Sequence, residues 1–367
     1  MIIGVNTMRE RAHNFCAGPC TLPLETLEAA KSEFVDYHDT GMSLIEMSHR
    51  SKEYDQVHME ALALTRSLFQ VPDDFSILFI QGGASLQFGM VPMNLLKPGE
   101  RGAYVNSGSW AKGAITDAAH YGEIYTAWDG SEDNYRRMPE SSEIELEGNT
   151  RYLHITSNET IGGIHYPHYP KADVPLIADI SSDFMSRPLP WEQFDLVYGG
   201  AQKNLGPSGL GVVILRRTLL ENNNRNMARY LRYDIHDAKD SLFNTPPVFA
   251  IWMMGKTLSW MKQKGGLAAM ASAAAEKSNM LYSSIDNSEG FYNSPVDPSC
   301  RSQTNVVFRL GSEEQEKNFI TEATAAGLYN LKGHRSVGGC RASLYNALPM
   351  KSVIALVDFM ADFKQQH

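Results

Sequence analysis

A single lysine in a glycine-rich turn has the surroundings that covalent chemistry needs. Lys203 lies between two apolar segments, Phe194 to Tyr198 and Leu210 to Leu215, both of which predict strands. Lysine is rarely buried without a partner, and burial lowers its pKa toward that of a nucleophilic free amine. The small residues around it would let a flat, bulky molecule approach. This combination is typical of a lysine that forms a Schiff base with pyridoxal phosphate (PLP); a solvated lysine in an ordinary glycine-rich loop is the alternative.

Four further candidates lie where other predicted strands end. They are the turn Gly82-Gly83-Ala84-Ser85, Trp110, Thr160 and Asp179. A strand, two glycines and a helix start can cradle a phosphate through free N–H groups, and the turn matches neither a dinucleotide fingerprint nor a P-loop. Each residue alone also has an ordinary explanation, such as a helix N-cap for Asp179 or half-buried core for Trp110. Their convergence at strand ends is more specific, because open α/β sheets bind ligands there.

Composition excludes several classes of protein. The chain has 367 residues and a formal net charge of −9, which argues against nucleic acid as the main partner. Its four cysteines form no zinc-binding pattern and no disulfide framework, so we expect a reducing, cytoplasmic setting and no metal. No segment is long and apolar enough to predict a transmembrane helix, and residues 1–12 do not resemble a secretory signal.

Strand and helix patterns alternate along most of the chain, which predicts a mostly parallel sheet covered by helices on both faces. The first helix is expected after Leu22-Pro23, with Leu24, Leu27, Phe34 and Val35 on its apolar side. Gly265-Gly266 marks the predicted boundary to a smaller α+β domain. That domain contains His334, Arg335 and Arg341 among glycines, where the two arginines could bind carboxylate or phosphate.

The chain also resembles a known family along nearly its whole length. The motifs that carry the resemblance are Asn14-Phe15…Gly18-Pro19, Met47-Ser-His-Arg50, Gly82-Gly83-Ala84-Ser85-Leu86-Gln87-Phe88, Ser157-Asn-Glu-Thr160, Ala178-Asp179-Ile-Ser-Ser182, Ala201-Gln-Lys203-Asn-Leu-Gly-Pro, Phe243-Asn-Thr-Pro-Pro247 and Gly333-His-Arg-Ser-Val-Gly-Gly. Together they resemble the phosphoserine aminotransferase family of the class V, PLP-dependent aminotransferases, which have the aspartate-aminotransferase fold. The resemblance implies a large domain (24–265) with a seven-stranded sheet, a small domain (266–367), and an N-terminal segment (1–23) packing with the small domain.

The resemblance also implies a role for each candidate residue. Lys203 would bind the cofactor and move the proton, while Asp179 would pair with the pyridine nitrogen and keep it protonated. Trp110 would stack on the ring and Thr160 would contact its hydroxyl. The cofactor phosphate would be held by Ala84, Ser85 and Gln202, and by Asn244 and Thr245 from a second subunit of a homodimer. Arg341 would bind the substrate α-carboxylate, and the distal anion would be bound by His49, Arg50, His334 and Arg335.

The implied reaction converts L-glutamate and 3-phosphohydroxypyruvate into 2-oxoglutarate and O-phospho-L-serine by a ping-pong mechanism. It belongs to serine biosynthesis, and some family members also act on a phosphorylated hydroxythreonine in pyridoxine biosynthesis. One departure is Ala84-Ser85, where many members carry Gly-Arg, which leaves more of the phosphate binding to N–H groups and hydroxyls. The alternatives are another class V enzyme, such as an alanine–glyoxylate aminotransferase or a cysteine desulfurase using Cys300, and a non-catalytic anion-binding protein.

Overall fold

A computed structural model of the chain describes residues 11–221 and 226–367. Residues 1–10 of the predicted N-terminal segment (1–23) therefore lie outside the described residues. The strands are β1 (His13–Asn14), β2 (Phe75–Gln81), β3 (Arg101–Asn106), β4 (Glu123–Asp129), β5 (Thr150–Thr156), β6 (Asn158–Glu159), β7 (Ile164–His165), β8 (Leu176–Asp179), β9 (Leu196–Gly200), β10 (Leu210–Arg216), β11 (Asn305–Phe308), β12 (Leu328–Tyr329) and β13 (Cys340–Ser343). The α-helices are α1 (Leu24–Glu33), α2 (Lys52–Phe69), α3 (Ser85–Leu95), α4 (Ser109–Ala118), α5 (Tyr233–Asp237), α6 (Val248–Gln263), α7 (Gly266–Asp286), α8 (Glu313–Ala325) and α9 (Met350–Gln366).

The central feature is a seven-stranded sheet in the order β2-β10-β9-β8-β5-β3-β4. Strand β10 is antiparallel to both of its neighbours, and the other pairs are parallel. The inner strands are continuous apolar runs because helices cover both faces, and β10 and β8 are almost entirely buried. The predicted fold class, a mostly parallel sheet of seven strands, is confirmed.

Six of the seven strands, all except β10, end at the same edge of the sheet. Strands β2, β3, β4, β5, β8 and β9 all run in one direction, so the turns that follow them meet there. Strand β10 begins at this edge, and its preceding residue Gly209 accepts a hydrogen bond from the N–H of Gly82 (3.2 Å). The glycine turn therefore lies at this edge together with Trp110, Thr160, Asp179 and Lys203.

The C-terminal part has a core of its own. Apolar side chains between Leu281 and Phe363 form this cluster together with Phe15. Strand β1 pairs in parallel with β12, which attaches the start of the described chain to this part. Helix α7 contributes Leu267 and Met270 to the core beside the large sheet, and its later turns to the second core. The boundary at Gly265-Gly266, where α7 begins, stays a prediction.

The first helix differs from its prediction. The buried side chains of α1 are Thr26 and Ala30, whereas Leu27 is exposed. Phe34 and Val35 follow the last helical residue, so they do not continue an apolar stripe, and both are exposed. The prediction that Phe34 and Val35 lie on the apolar side of this helix was therefore wrong, because the helix ends at Glu33. Within the described residues, no helix has the length and apolarity to cross a membrane.

Candidate active site

Lys203 lies in the turn after β9 and is 7% exposed. Its Nζ donates a hydrogen bond to Thr160 Oγ1 (2.6 Å) and lies 5.6 Å from the centroid of the Trp110 ring. Burial lowers the pKa of Lys203 to about 8, although the carboxylates of Asp179 and Glu159 act in the opposite direction. The alternative of a solvated loop lysine does not hold, and the site contains an amine that is partly neutral near physiological pH.

Asp179 is the last residue of β8 and is buried. Its Oδ1 accepts a hydrogen bond from the N–H of Ser181 (2.8 Å), which is an Asx turn and not the helix cap that was the alternative. Burial raises the pKa of this carboxyl, whereas the nearby amine of Lys203 and the hydrogen bonds from Ser181 lower it. Asp179 therefore presents a buried carboxylate beside the buried amine of Lys203.

Thr160 and Trp110 reach the site from two different strand ends. Thr160 follows β6, the short extension of β5, and Trp110 lies in the first turn of α4, directly after β3. The indole Nε1 of Trp110 is buried and has no hydrogen-bond partner among the described residues. Aromatic rings with an apolar face open to a site are suited to stacking on a flat ligand.

The glycine turn has the features of an anion site. Gly82 and Gly83 have φ values of 97° and 67°, a left-handed conformation that favours glycine. Helix α3 begins immediately after Ala84, with no side-chain cap and no acidic residue in its first turn. Its first N–H groups therefore lack intrahelical partners and face the end of the turn. Ser85 is exposed at this helix start, and Gln202 lies half-buried next to Lys203.

These residues fit PLP. A buried lysine, a buried acid and a helix start without negative charge match the aldehyde, pyridine nitrogen and phosphate of this cofactor. Two more buried oxygens at the same edge, Ser107 Oγ and Thr156 Oγ1, have no hydrogen-bond partner among the described residues. Such orphaned polar atoms in a native fold are typical of a site completed by a ligand or water.

Arg341 is brought to the same site from β13. Its Nη1 donates to the main-chain oxygen of Thr160 (3.2 Å), and burial lowers its pKa. The segment Gly333 to Gly339 carries His334, which is half-buried, and Arg335, which is exposed. Burial and the charges of Arg341 and Arg335 lower the pKa of His334. Three of the predicted anion-binding residues therefore lie near one another.

The remaining predicted residues are not joined to Lys203 by any hydrogen bond or ion pair within the described residues. His49 and Arg50 precede α2, whose N-cap residue Ser51 accepts a hydrogen bond from the N–H of Tyr54 (3.2 Å). Asn244 is half-buried and Thr245 exposed, and the carbonyl of Thr245 accepts from Gln81 Nε2 (2.7 Å). This contact holds the Asn244-Thr245 segment beside the strand that leads into the glycine turn.

Two acidic residues near the site, Glu159 and Asp183, were given no role from the sequence, although Glu159 stands in a quoted motif. Glu159 is fully buried and accepts hydrogen bonds from the N–H groups of Trp110 and Ala111. Asp183 accepts from Ser157 Oγ (2.5 Å) and pairs with Arg187 behind the site. The sequence offered one signal for Glu159, its position directly before Thr160. A carboxylate beside an expected site residue needs a partner when it is buried.

Cys300 does not have the setting of a reactive thiol. Its side chain is 5% exposed and belongs to the core beside the large sheet. Its Sγ accepts from the N–H of Met138 (3.4 Å). A desulfurase needs an accessible cysteine on a mobile loop, so this alternative loses its one candidate.

Comparison with known proteins agrees with the fold and the site. The family model described as Aminotransferase class-V matches residues 12–356. The chain therefore belongs to the class V aminotransferases, which depend on PLP. It is 48% identical over 361 residues to the phosphoserine aminotransferase of Lysinibacillus sphaericus, covering 98% of this chain and 100% of that protein.

Solved structures give the same result. The phosphoserine aminotransferase from Bacillus circulans subsp. alkalophilus superposes with a TM-score of 0.96 at 50% identity, covering 98% of this chain and 99% of that one. A structure that describes radiation damage of the Schiff base in phosphoserine aminotransferase has a TM-score of 0.96 at 47% identity, covering 98% and 100%. An alanine–glyoxylate aminotransferase from Nostoc sp. shares the fold alone, at 15% identity and a TM-score of 0.74.

Proposed function

We propose that this chain transfers an amino group from L-glutamate to 3-phosphohydroxypyruvate, giving 2-oxoglutarate and O-phospho-L-serine with PLP as cofactor. The observation that carries the proposal is the meeting of Lys203, Thr160, Trp110 and Asp179 at one sheet edge, with Arg341 bonded to Thr160. The full-length relatives named phosphoserine aminotransferase support the choice of substrate. The reaction belongs to serine biosynthesis, and the four free thiols support a cytoplasmic location.

Each part of the cofactor has a residue to hold it. When bound, PLP supplies an aldehyde that accepts amino groups and a ring that withdraws electrons from the substrate Cα. A carboxylate oxygen of Asp179 would accept the pyridine N–H, and the anionic form of the acid keeps that nitrogen protonated. Trp110 would lie against the ring and Thr160 against its hydroxyl. The phosphate would be held by the N–H of Ala84 and the side chains of Ser85 and Gln202.

Lys203 would be both the attachment point and the acid–base group. A pKa of about 8 leaves a substantial fraction of the amine neutral near pH 7 to 8, so it can react with an aldehyde or accept a proton. Its hydrogen bond to Thr160 Oγ1 fixes the position of Nζ on the Trp110 side of the site. A released Lys203 would take the proton from the substrate Cα and deliver it to C4′ of the cofactor, and it would move a proton in the opposite direction in the second half-reaction.

One cationic pocket would serve both substrates. Glutamate and the phosphorylated oxo acid each carry an α-carboxylate and a second anion at the other end. Arg341 would bind the shared carboxylate, and His334 and Arg335 would bind the distal anion. His49 and Arg50 would complete this pocket. Arginine suits both ligands because its planar fork binds carboxylate and phosphate bidentately.

We further propose a homodimer in which Asn244 and Thr245 reach the phosphate of the second subunit. The dimer is supported by an apolar surface that no part of the described chain covers, including Phe34, Val35 and Phe249; the rings of Phe34 and Phe249 lie 6.3 Å apart. Phe249 is in the first turn of α6, directly after the Asn244-Thr245 segment. The domain limits 1–23, 24–265 and 266–367 stay part of the proposal.

A half-reaction tests the substrate assignment. Holoenzyme mixed with O-phospho-L-serine in the absence of an oxo acid should lose its visible cofactor absorbance and regain it on addition of 2-oxoglutarate. L-Serine, which lacks the distal anion, should react far more slowly, and Arg335→Ala should reduce that preference. Equal reaction with both amino acids would contradict the phosphorylated substrate.

Mixed dimers test the sharing of sites. Chains carrying Lys203→Ala are combined with chains carrying Asn244→Ala and the mixed dimer is isolated by two tags. If Asn244 serves the neighbouring subunit, both defects fall on one site and the other site keeps normal cofactor retention. If Asn244 serves its own chain, no intact site is left, and the cross-subunit contact is refuted.

A further inference from the structure

Helix α4, which carries Trp110, begins without a cap of its own. Its N-cap residue is Gly108, which has no side chain, and its first turn contains no acidic residue. The main-chain oxygen of Gly108 accepts the first intrahelical bond, from the N–H of Lys112 (2.9 Å). The N–H groups before Lys112 therefore need acceptors from elsewhere in the fold.

Glu159 supplies those acceptors from another strand. Its Oε1 accepts from the N–H of Ala111 (2.8 Å) and its Oε2 accepts from the N–H of Trp110 (3.1 Å). The Glu159 side chain is fully buried, so bulk water cannot take the place of these two oxygens as hydrogen-bond acceptors. A carboxylate at a helix start is stabilised by the helix dipole and by charge-assisted hydrogen bonds. This cap spans nearly fifty residues of sequence, unlike the usual local one.

The approach of the carboxylate depends on the missing side chain at Gly108. A Cβ at this position would lie 2.7 Å from Glu159 Cδ, which is closer than real Cβ contacts. The main chain at Glu159 is fixed by its neighbour. Asn158 donates through Nδ2 to Ser182 Oγ (2.7 Å) and to Asn305 Oδ1 (2.9 Å). The carboxylate is therefore a fixed point against which the first turn of α4 is set.

We propose that Glu159 is a positioning residue for the cofactor, because its carboxylate fixes the first turn of α4 and thereby the plane of the Trp110 ring. Glu159 and Thr160 are consecutive, so one segment would set both the stacking ring and the hydroxyl that contacts Lys203. The inference rests on the proposed stacking role of Trp110. It gives a use to a buried acid that the transfer reaction itself does not need.

The electrostatics of the site agree with this role. Burial raises the pKa of Glu159 to about 7, and the N–H groups of Ala111 and Trp110 lower it. The charge of Asp179 raises it further, while that of Lys203 lowers it. The two N–H groups and the buried amine thus favour the charged form of the carboxylate, in opposition to the burial that favours the neutral acid.

The test compares Glu159→Gln with a matched control, Glu316→Gln. Glu316 is also a buried glutamate that accepts two backbone N–H groups, those of Leu310 and Gly339, but it lies far along the chain in α8. Affinity for PLP and the visible circular dichroism of the bound cofactor are measured by titrating apoenzyme. Glu159→Gln keeps one acceptor and turns an NH₂ group toward the other N–H, so we expect cofactor affinity to fall roughly tenfold with reduced dichroism.

The control should keep the cofactor affinity and dichroism of the wild type. Gly108→Ala, which displaces the carboxylate without changing it, should reproduce the loss seen in Glu159→Gln. If Glu159→Gln does not fold, Glu159→Asp carries the test, because it keeps the charge and is one methylene too short to reach both N–H groups. A wild type that does not bind PLP would refute the proposed function, whereas wild-type affinity and dichroism in Glu159→Gln or, failing its folding, Glu159→Asp would refute the positioning role alone.

Discussion

Removing the hydroxyl of Thr160 should make the amine of Lys203 more acidic. Thr160 Oγ1 accepts a 2.6 Å hydrogen bond from Lys203 Nζ, and Thr160→Val removes this acceptor with little change in shape. A hydrogen bond to a charged group contributes about 1.5 kcal/mol, and one pKa unit corresponds to about 1.4 kcal/mol. Because the bond stabilises the charged amine, its loss should lower the pKa of Lys203 from about 8 by about one further unit.

The change is measured as the rate at which apoenzyme takes up PLP between pH 5.5 and 10. At pH 7 the neutral fraction of the amine would rise from about 10% to about 50%, so uptake should become about fivefold faster, with little change at pH 9.5. The control is Thr65→Val, since Thr65 is buried in α2 and its hydroxyl donates only to Ala61 O (2.8 Å). An unmoved or raised midpoint in Thr160→Val would refute the reasoning.

Three other outcomes are expected. Lys203→Ala should remove the visible absorbance of the protein after reconstitution with PLP, and a yellow variant would show that another group binds the cofactor. In apoenzyme the folded-state pKa of Lys203, about 8, lies below the unfolded value of 10.5, so the unfolded chain binds more protons between these values. In urea unfolding, the free energy of unfolding of the wild type should therefore rise relative to that of Lys203→Met from pH 8 to 10. A difference that does not change with pH would contradict the lowered pKa of Lys203. Cys300→Ser should keep transamination within about twofold of wild type while lowering the unfolding temperature by a few degrees; loss of activity with normal stability would restore the thiol as a catalytic candidate.

The sheet and most of the cofactor site followed from local sequence patterns. Continuous apolar runs mark buried parallel strands, and the residues after such runs must meet at one edge of the sheet. Lys203, Asp179, Thr160 and Trp110 were found in this way because each lies at or shortly after the end of a strand. The same patterns carried the first helix past Glu33 to Phe34 and Val35, since apolar character alone does not say at which residue a helix ends.

What the sequence determined by itself is the set of strands and the polar residues at their ends, because hydrophobic periodicity is a property of neighbouring residues. What only the tertiary structure decided is which distant groups satisfy one another. Glu159 was one unassigned acid in a motif until the fold placed it under the first turn of α4, and Arg341 was one of two arginines until it reached the carbonyl of Thr160. Buried charges and helix ends must find partners, and the partners here come from segments that only packing brings together.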